Sequence, residues 1–318
     1  MKIFISTDLE GCAGIFHREL QVTNATPQEY AKTLRLATHE FIAAIEGAWA
    51  GGAKEIVIDV LHDIDMEMLP AGVQVLRDYN WTFKWAGFLD EGFDALVILG
   101  QHGGAHLIDC ALAHTFLPSW QIESSAGIEE STILQIAPQL QETPLGEFST
   151  VEKVWLNGRL CGETSILMAQ AAAFGVPTAC VCGCIHACQE AKALVSQVET
   201  VPVKWGIHFR GARSLSPAAA REAIRAGVER ALRRLPEISV VSDGPQEIRV
   251  RYVHPERADR SARWPGTLQE DDHTVAATAP SGWEISGLRF LFARPLSALS
   301  GPMREEQYDP PEWLKSAS

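Results

Sequence analysis

The distribution of apolar residues predicts a layered α/β fold in the first part of the chain. Three apolar runs, at 2–7, 55–60 and 95–100, have the length of buried strands. Between the first two runs, apolar residues recur at helical spacing over 28–49, and the glycine pair 51–52 is a typical end for such a helix. Apolar strands that alternate with helices favour a mostly parallel sheet covered on both faces.

An Asn-Gly pair marks the next predicted feature, a β-hairpin. Asn157 and Gly158 separate two short apolar runs, and this dipeptide is a strong signal for a two-residue hairpin turn. Farther along, Ser216 is predicted to cap a helix that begins at Pro217, because proline fits the first helical turn. The remaining predicted elements are helices at 162–174, 184–195 and 217–234 and strands at 178–182, 201–207, 238–241 and 247–253.

These elements predict two parts of unequal size. The first is an α/β catalytic domain at 1–212, and the second is a smaller α+β portion at 213–318. The stretch 118–150 is polar, acidic and interrupted by prolines. We expect it to form an excursion over the functional site, with a short helix at 129–136.

The net negative charge of the chain disfavours polyanionic binding partners. There are 27 Lys and Arg residues against 40 Asp and Glu residues, which gives a formal net charge of -13. Such a surface repels phosphate backbones and anionic lipid, so we expect no nucleic acid and no membrane as partners. A metal ion or a neutral or cationic substrate fits better. The chain begins without the apolar stretch of an export signal and has seven cysteines, an odd number, so a reduced, cytoplasmic setting is the simplest expectation.

Residue types that bind metal ions follow the predicted strands. Asp8 and Glu10 come directly after the first strand, His62 follows the second, and His102 follows the third. Residues i and i+2 of an extended chain point to the same side, so Asp8 and Glu10 should converge. The carboxyl ends of parallel strands form the edge where ligands bind in open sheets. Glu163, at the start of a predicted helix, can supply another oxygen.

Together these five residues predict a two-metal centre. Mixed Asp, Glu and His ligation suits zinc or another first-row divalent ion, and a bridging carboxylate suits two ions about 3.5–4 Å apart. Such a centre lowers the pKa of bound water and polarises a carbonyl group, so amide hydrolysis becomes feasible near neutral pH. Taken singly, each residue has an ordinary role, such as a solvated strand end for Asp8 or a first-turn acid for Glu163. The prediction depends on all five falling at matching positions.

Other clusters favour structural roles. Four cysteines lie within 180–188, but alternating cysteines in a buried strand behave as small hydrophobic residues. His102 and His106 have the i, i+4 spacing of a helical zinc motif, yet two glycines stand between them and no Glu follows His102. Three basic residues could bind a substrate carboxylate, although solvated charge is their commoner role: Lys204, Arg210 and Arg213.

Several motifs resemble those of one enzyme family. The segment 5–14, ISTDLEGCAG, closely resembles the opening S-x-D-x-E-G-x-x-G of the zinc-dependent D-aminopeptidase family of the DppA type. The similarity covers most of the chain in order and is thin outside its motifs. It continues at Glu29 and Tyr30 and through the helix to Gly52, and then at 55–62, 99–102, 157–163 and 214–217.

The resemblance implies a role for each matching residue. His114, within Ala113-His114-Thr115, would be a catalytic histidine that does not bind metal, and Asp8 would bridge two zinc ions. The resemblance also implies a self-compartmentalising homo-oligomeric ring that cleaves short peptides with an N-terminal D-residue. The implied metal ligands are Asp8, Glu10, His62, His102 and Glu163.

The chain departs from the family pattern at several positions. Asp59 and Val60 stand where the family usually has Asn-Asp, and 183–185 is Gly-Cys-Ile in place of Gly-Asp-Asp. The stretch between His114 and Glu163 is longer than in the family, and the tail after 299 is unfamiliar. We therefore expect an aminopeptidase-like dinuclear hydrolase. The alternatives are another metal-dependent amide or ester hydrolase, or a non-catalytic homologue that binds a metal or small ligand.

Overall fold

The structure is a computed structural model that describes most of the chain. Some of the residues for which the sequence makes predictions lie outside the described part: His62, Arg210, the C-terminal tail and the whole of 118–150, with its predicted helix at 129–136. What was expected of them stays a prediction. The described residues are 1–17, 21, 25–60, 64–76, 92–115, 151–208, 211–241, 244–263 and 266–279.

The described residues form five α-helices and twelve strands. The helices are α1 (Pro27–Ala50), α2 (Glu163–Ala172), α3 (Ile185–Leu194), α4 (Pro217–Arg233) and α5 (Pro255–Ser261). The strands are β1 (Lys2–Thr7), β2 (Glu55–Val60), β3 (Val73–Leu76), β4 (Ala95–Gln101), β5 (Val151–Leu156), β6 (Arg159–Cys161), β7 (Thr178–Cys184), β8 (Glu199–His208), β9 (Gly211–Ser214), β10 (Gln246–Tyr252), β11 (Thr267–Gln269) and β12 (Thr274–Ala279).

A seven-stranded sheet in the order β3-β2-β1-β4-β7-β8-β9 forms the centre of the fold. All neighbouring strands in it are parallel except β8 and β9, which are antiparallel. In the register of β1, Thr7 lies opposite Val60 of β2 and Leu99 of β4. The carboxyl ends of these three strands therefore meet at one edge. The predicted mostly parallel α/β fold is confirmed.

A second, antiparallel sheet of five strands has the order β11-β12-β10-β5-β6. The predicted hairpin is its β5–β6 pair, and Asn157 and Gly158 adopt φ values of 52° and 74° at the turn. Positive φ at both central residues is the conformation of a type I′ turn, which Asn-Gly favours. Because β5 pairs with β10, this sheet joins residues from both sides of the expected boundary at 212. The division into domains at that residue stays a prediction.

The two long helices begin at residues that the sequence indicates. Thr26 Oγ1 accepts a hydrogen bond from Glu29 N at 3.2 Å, and Ser216 Oγ accepts one from Ala219 N at 3.3 Å. Both are N-cap contacts to a backbone amide that has no partner within the helix. The two helices α1 and α4 pack against each other beside the sheet.

One predicted strand is wrong. Residues 238–241 follow a 3-10 turn at Leu235–Glu237 and belong to no sheet. The apolar run instead contributes Ile238, 7% exposed, to the hydrophobic core. A four-residue apolar run cannot by itself distinguish a strand from a packed loop. Among the described helices, none is long and apolar enough to cross a membrane.

Candidate metal centre

The first two carboxylates lie where the main chain leaves β1. The ladder with β4 continues past the strand, because Asp8 N donates to Leu99 O at 2.8 Å and Gly11 N donates to Gly100 O at 2.6 Å. A Cβ at position 11 would lie 2.1 Å from Gln101 O, so only glycine lets the chain turn this close to β4. This close approach brings Asp8 and Glu10 beside the end of β4. Both side chains are buried.

His102 and Gln101, at the end of β4, face these carboxylates. His102 Nε2 lies 3.4 Å from Asp8 Oδ2 and 3.8 Å from Glu163 Oε1. Gln101 Nε2 donates to Asp8 Oδ2 at 3.1 Å and lies 3.4 Å from Glu163 Oε2. The predicted ligands Asp8, Glu10, His102 and Glu163 therefore meet in one buried cluster. Gln101, which orients two of them, was missed, although its place next to His102 in the sequence could have indicated it.

Glu163 reaches the cluster from a different part of the chain. The β5–β6 hairpin ends at Cys161, and Glu163 is the first residue of α2. Its side chain is buried, although it carries a carboxylate. A buried carboxylate is costly unless it is paired, hydrogen-bonded or bound to a metal ion. The position at the start of a helix, predicted from the sequence, is the one observed.

His114 lies against the same cluster, on the segment that follows β4. Its ring stacks on that of His102, with centroids 4.0 Å apart and an interplanar angle of 14°. Its Nδ1 lies 2.8 Å from Leu112 O, a contact in which Nδ1–H donates and Nε2 faces away from that carbonyl. Leu112 has a φ of 62°, an uncommon conformation for a residue with a β-carbon. Such strain is typical of positions that the surrounding structure fixes.

Potential ligand atoms form two overlapping groups of three residues. One group is Asp8, Glu10 and His102, and the other is His102, His114 and Glu163, with all ligand atoms of each group within 4.8 Å of one another. His102 belongs to both. His62 lies outside the described residues, so its position relative to either group is a prediction.

The charges of the cluster call for a cation. Burial alone would lower the pKa of His102, but the carboxylates of Glu163, Asp8 and Glu10 outweigh it, and the pKa is raised. Among the described residues, none forms a hydrogen bond with the buried Nε2 of His102. Three buried carboxylates around one imidazole nitrogen carry more negative charge than a proton on that ring can balance. The oxygen and nitrogen donor set fits a divalent ion such as zinc.

The alternative clusters have structural roles. All seven cysteines are buried and free, and among the described residues no group that could hold a metal ion contains a cysteine. Cys180 and Cys182 lie side by side in β7, with sulfur atoms 3.6 Å apart. His106 follows His102 in a segment that is not helical, so the pair does not form a helical zinc motif.

Lys204 differs from its expected role as a solvated or substrate-binding cation. The side chain is 0% exposed, and its ammonium group donates to the backbone carbonyls of Glu10 and Ile15. Val203 and Lys204 are consecutive buried residues of β8, so the burial of Lys204 breaks the alternation that a sequence pattern would lead one to expect. Lys204 therefore stabilises the main chain of the turn that carries Glu10.

Comparison with known proteins identifies the family. The D-aminopeptidase family Peptidase M55 matches residues 1–124 and 147–289. The D-aminopeptidase of Bacillus subtilis (strain 168) is 23% identical over 224 residues, which are 69% of this chain and 69% of that protein. The fold is similar to that of the Zn-dependent D-aminopeptidase DppA from Bacillus subtilis, a self-compartmentalizing protease, with a TM-score of 0.76, 20% identity and coverage of 92% of this chain and 96% of the other. This chain is a member of the Peptidase M55 family of D-aminopeptidases and is thus a metallopeptidase hydrolase.

Proposed function

We propose that this protein is a dinuclear metal-dependent aminopeptidase that cleaves short peptides, including peptides with an N-terminal D-residue. The observation that carries the proposal is the buried cluster in which Asp8, Glu10 and Glu163 surround His102. A charge arrangement of this kind is costly without a cation. The family match and the Zn-dependent relative of the same fold support zinc as that cation.

Four of the five proposed zinc ligands lie in the two groups of the site: Asp8 and Glu10 in the first, Glu163 in the second and His102 in both. Asp8 would serve both ions, as the resemblance implies, and His102 belongs to both groups. When bound, such ions polarise the scissile carbonyl and activate a water molecule. Gln101 holds the carboxylates of Asp8 and Glu163 in place through its amide group. The full set of proposed ligands is Asp8, Glu10, His62, His102 and Glu163.

His114 is the proposed catalytic residue. Donation from Nδ1 to Leu112 O leaves Nε2 as the atom that can accept or deliver a proton at the substrate. Stacking on His102 holds the ring next to the metal ligands, which is the place where a peptide carbonyl would be cleaved. Its ring is 6% exposed, so water has little access to it. A positioned general acid or base of this kind contributes about 10²–10⁴-fold to the rate.

The substrate class follows from the charge and burial of the site. The formal net charge of -13 favours the approach of a cationic group such as the α-ammonium group of a peptide. The buried position of the ligands favours a short, unfolded peptide. We further propose a homo-oligomeric ring, because the relative of similar fold is a self-compartmentalizing protease.

The test is an activity screen of zinc-loaded protein against matched dipeptides and tripeptides that differ only in the configuration of the first residue. Release of the free N-terminal amino acid from the D-series is the expected result. Glu163→Gln should abolish it, whereas Glu222→Gln, an exposed position of α4, should leave it unchanged. Hydrolysis of simple amides or esters without aminopeptidase activity would favour a different hydrolase. Hydrolysis of no substrate by fully loaded protein would overturn the proposal.

A further inference from the structure

Two charged side chains behind the metal centre have no role in the proposed mechanism. They are Lys204 on β8 and Glu190 on α3. We infer that each is a positioning residue for one carboxylate ligand: Lys204 for Glu10 and Glu190 for Glu163. The inference rests on the proposed two-ion centre. It adds that a residue outside the centre positions one carboxylate ligand in each of the two groups of the site.

Lys204 holds the turn that carries Glu10. Its ammonium group donates to the backbone oxygen of Glu10 and, at 2.7 Å, to that of Ile15. One side chain thus joins the two ends of the turn after β1. Keeping an ammonium group at 0% exposure costs free energy that only such charge-assisted hydrogen bonds offset. Loss of the ammonium group would remove this donor from two buried carbonyls and loosen the main chain at Glu10.

Neighbouring contacts fix the rest of the same turn. Ala13 N donates to Glu40 Oε1 at 2.9 Å, and Gly14 N lies 3.3 Å from Ser214 Oγ. Ser214 is the partner of Lys204 in the antiparallel β8–β9 pair. The turn is therefore held from α1 and from β8–β9, and Lys204 contacts the ligand residue Glu10 directly.

Glu190 holds the start of the helix that carries Glu163. Residue 162 is a glycine and offers no side chain to cap α2. Glu190 Oε1 takes that role from the neighbouring helix, accepting from Gly162 N at 3.0 Å, Ser165 N at 2.8 Å and Ser165 Oγ at 2.5 Å. Gly162 N also lies 3.0 Å from Glu190 Oε2, so one carboxylate fixes the main chain on both sides of Glu163. Amides at a helix start need such an acceptor, since they have none within the helix.

The two contacts act on different halves of the centre. Glu10 belongs to the group with Asp8 and His102, whereas Glu163 belongs to the group with His102 and His114. Lys204 hydrogen-bonds the main chain in the first half, and Glu190 does so in the second. Each should therefore control the affinity of one ion and leave the other nearly unchanged. A general loss of stability would weaken both.

Stepwise zinc binding to the full-length protein is the test, measured by calorimetry in competition with a chelator. Lys204→Met should weaken the same binding step as Glu10→Gln, and Glu190→Ala the same step as Glu163→Gln. Partners outside the ligand shell contribute about 10–100-fold to metal affinity, so a loss of this size is expected in one step. Exposed positions provide the controls, Lys192→Met and Glu222→Ala, which should change neither step.

Glu190→Gln is the conservative variant that separates positioning from charge. Its side-chain carbonyl can keep the three contacts of Oε1, and only the second contact of Gly162 N, to Oε2, is lost, so zinc affinity should recover most of what Glu190→Ala loses. A double-mutant cycle adds a second criterion. Because Glu190 acts through Glu163, Glu190→Ala should cause little further loss of zinc affinity in the Glu163→Gln variant. In the Glu10→Gln variant, its effect on zinc affinity should be fully additive. Lys204→Met should show the opposite pattern.

The outcomes distinguish this inference from the proposed function. If the unaltered protein does not bind two zinc ions, the two-ion centre is wrong and the inference falls with it. The unaltered protein could bind two zinc ions and cleave peptides, which would support the proposed function. If Lys204→Met and Glu190→Ala then weaken both zinc-binding steps equally, or weaken neither, the inference alone is overturned. If Lys204→Met does not fold, the Glu190 variants and their cycle decide the result by the same criteria.

Discussion

The imidazole rings of His102 and His114 lie face to face, with centroids 4.0 Å apart and an interplanar angle of 14°. Contact at this distance removes water from one face of each ring. The Nδ1 atoms of both rings are near backbone carbonyls, of Gly103 at 2.9 Å and of Leu112 at 2.8 Å. Each ring is thus oriented by its own main chain and by the other ring. A proposed metal ligand and the proposed proton carrier are in this way fixed to each other.

His114→Ala separates a catalytic role from a ligand role. If His114 moves a proton without binding metal, the variant should keep its zinc and its Tm while turnover falls at least about a hundredfold. Elemental analysis, thermal unfolding and peptide hydrolysis measure the three quantities. His39→Ala, an exposed position on α1, is the control.

Two other results would contradict this assignment of His114. Because His114 can form a three-residue group with His102 and Glu163, loss of zinc from His114→Ala would make it a ligand. Near-full activity of the variant would mean that metal-bound water acts without this residue.

The number of bound ions is a separate prediction. We expect close to two zinc ions per chain, since five ligand residues exceed the four of one tetrahedral site. As the bridging residue, Asp8 should be needed for both ions, so Asp8→Ala should lose both. His62→Ala should lose mainly one. Elemental analysis after zinc loading measures this, and fewer than one ion per chain in the unaltered protein would contradict it.

Assembly into a ring gives a third prediction. The chain should form a homo-oligomer larger than a dimer, as expected from its similarity to a self-compartmentalizing relative. Light scattering coupled to size-exclusion chromatography gives the mass directly. A monomer or dimer at working concentration would show that this chain restricts access to its site by another means.

The sequence predicts the metal cluster where simple geometry is sufficient. Asp8 and His102 follow parallel strands whose carboxyl ends share an edge, so their proximity can be expected from apolar runs alone. The proximity of His114 was expected only from the resemblance, because its place depends on the left-handed conformation of Leu112. Nothing in the local sequence of a leucine indicates that conformation.

Contacts between distant residues are what sequence reasoning could not supply. Lys204 contacts a carbonyl 194 residues away, and a lysine in a strand is ordinarily solvated. Glu190 caps a helix that begins 27 residues earlier, whereas capping signals are sought within a few residues of the helix start. Such partners become visible only once the sheet order and helix packing are known.

The last prediction concerns Glu40, a buried acid on α1 beneath the turn that follows β1. Burial raises the pKa of Glu40 from 4.5 to about 7, and its hydrogen bond from Ala13 N offsets only part of that effect. Between these two pKa values the folded protein binds more protons than the unfolded chain. The free energy of unfolding therefore falls as pH rises through this range, by up to about 1.4 kcal/mol per unit from this one group. Above the folded pKa the penalty is complete and constant.

Glu40→Gln should remove this dependence, because a neutral amide keeps an acceptor for Ala13 N and carries no charge at any pH. Relative to the unaltered protein, the variant should gain stability as pH rises from 5 to 7 and then level off near pH 8. Urea unfolding at equal zinc loading, at each unit of pH from 5 to 8, measures the difference. Glu46→Gln, at an exposed position of the same helix, should show no such trend. A difference between Glu40→Gln and the unaltered protein that stays constant across this range would mean that Glu40 carries the same charge in the folded and unfolded states. The buried acid would then be paired with a cation such as Lys204, and the turn that carries Glu10 would be held by an ion pair in place of a neutral hydrogen bond.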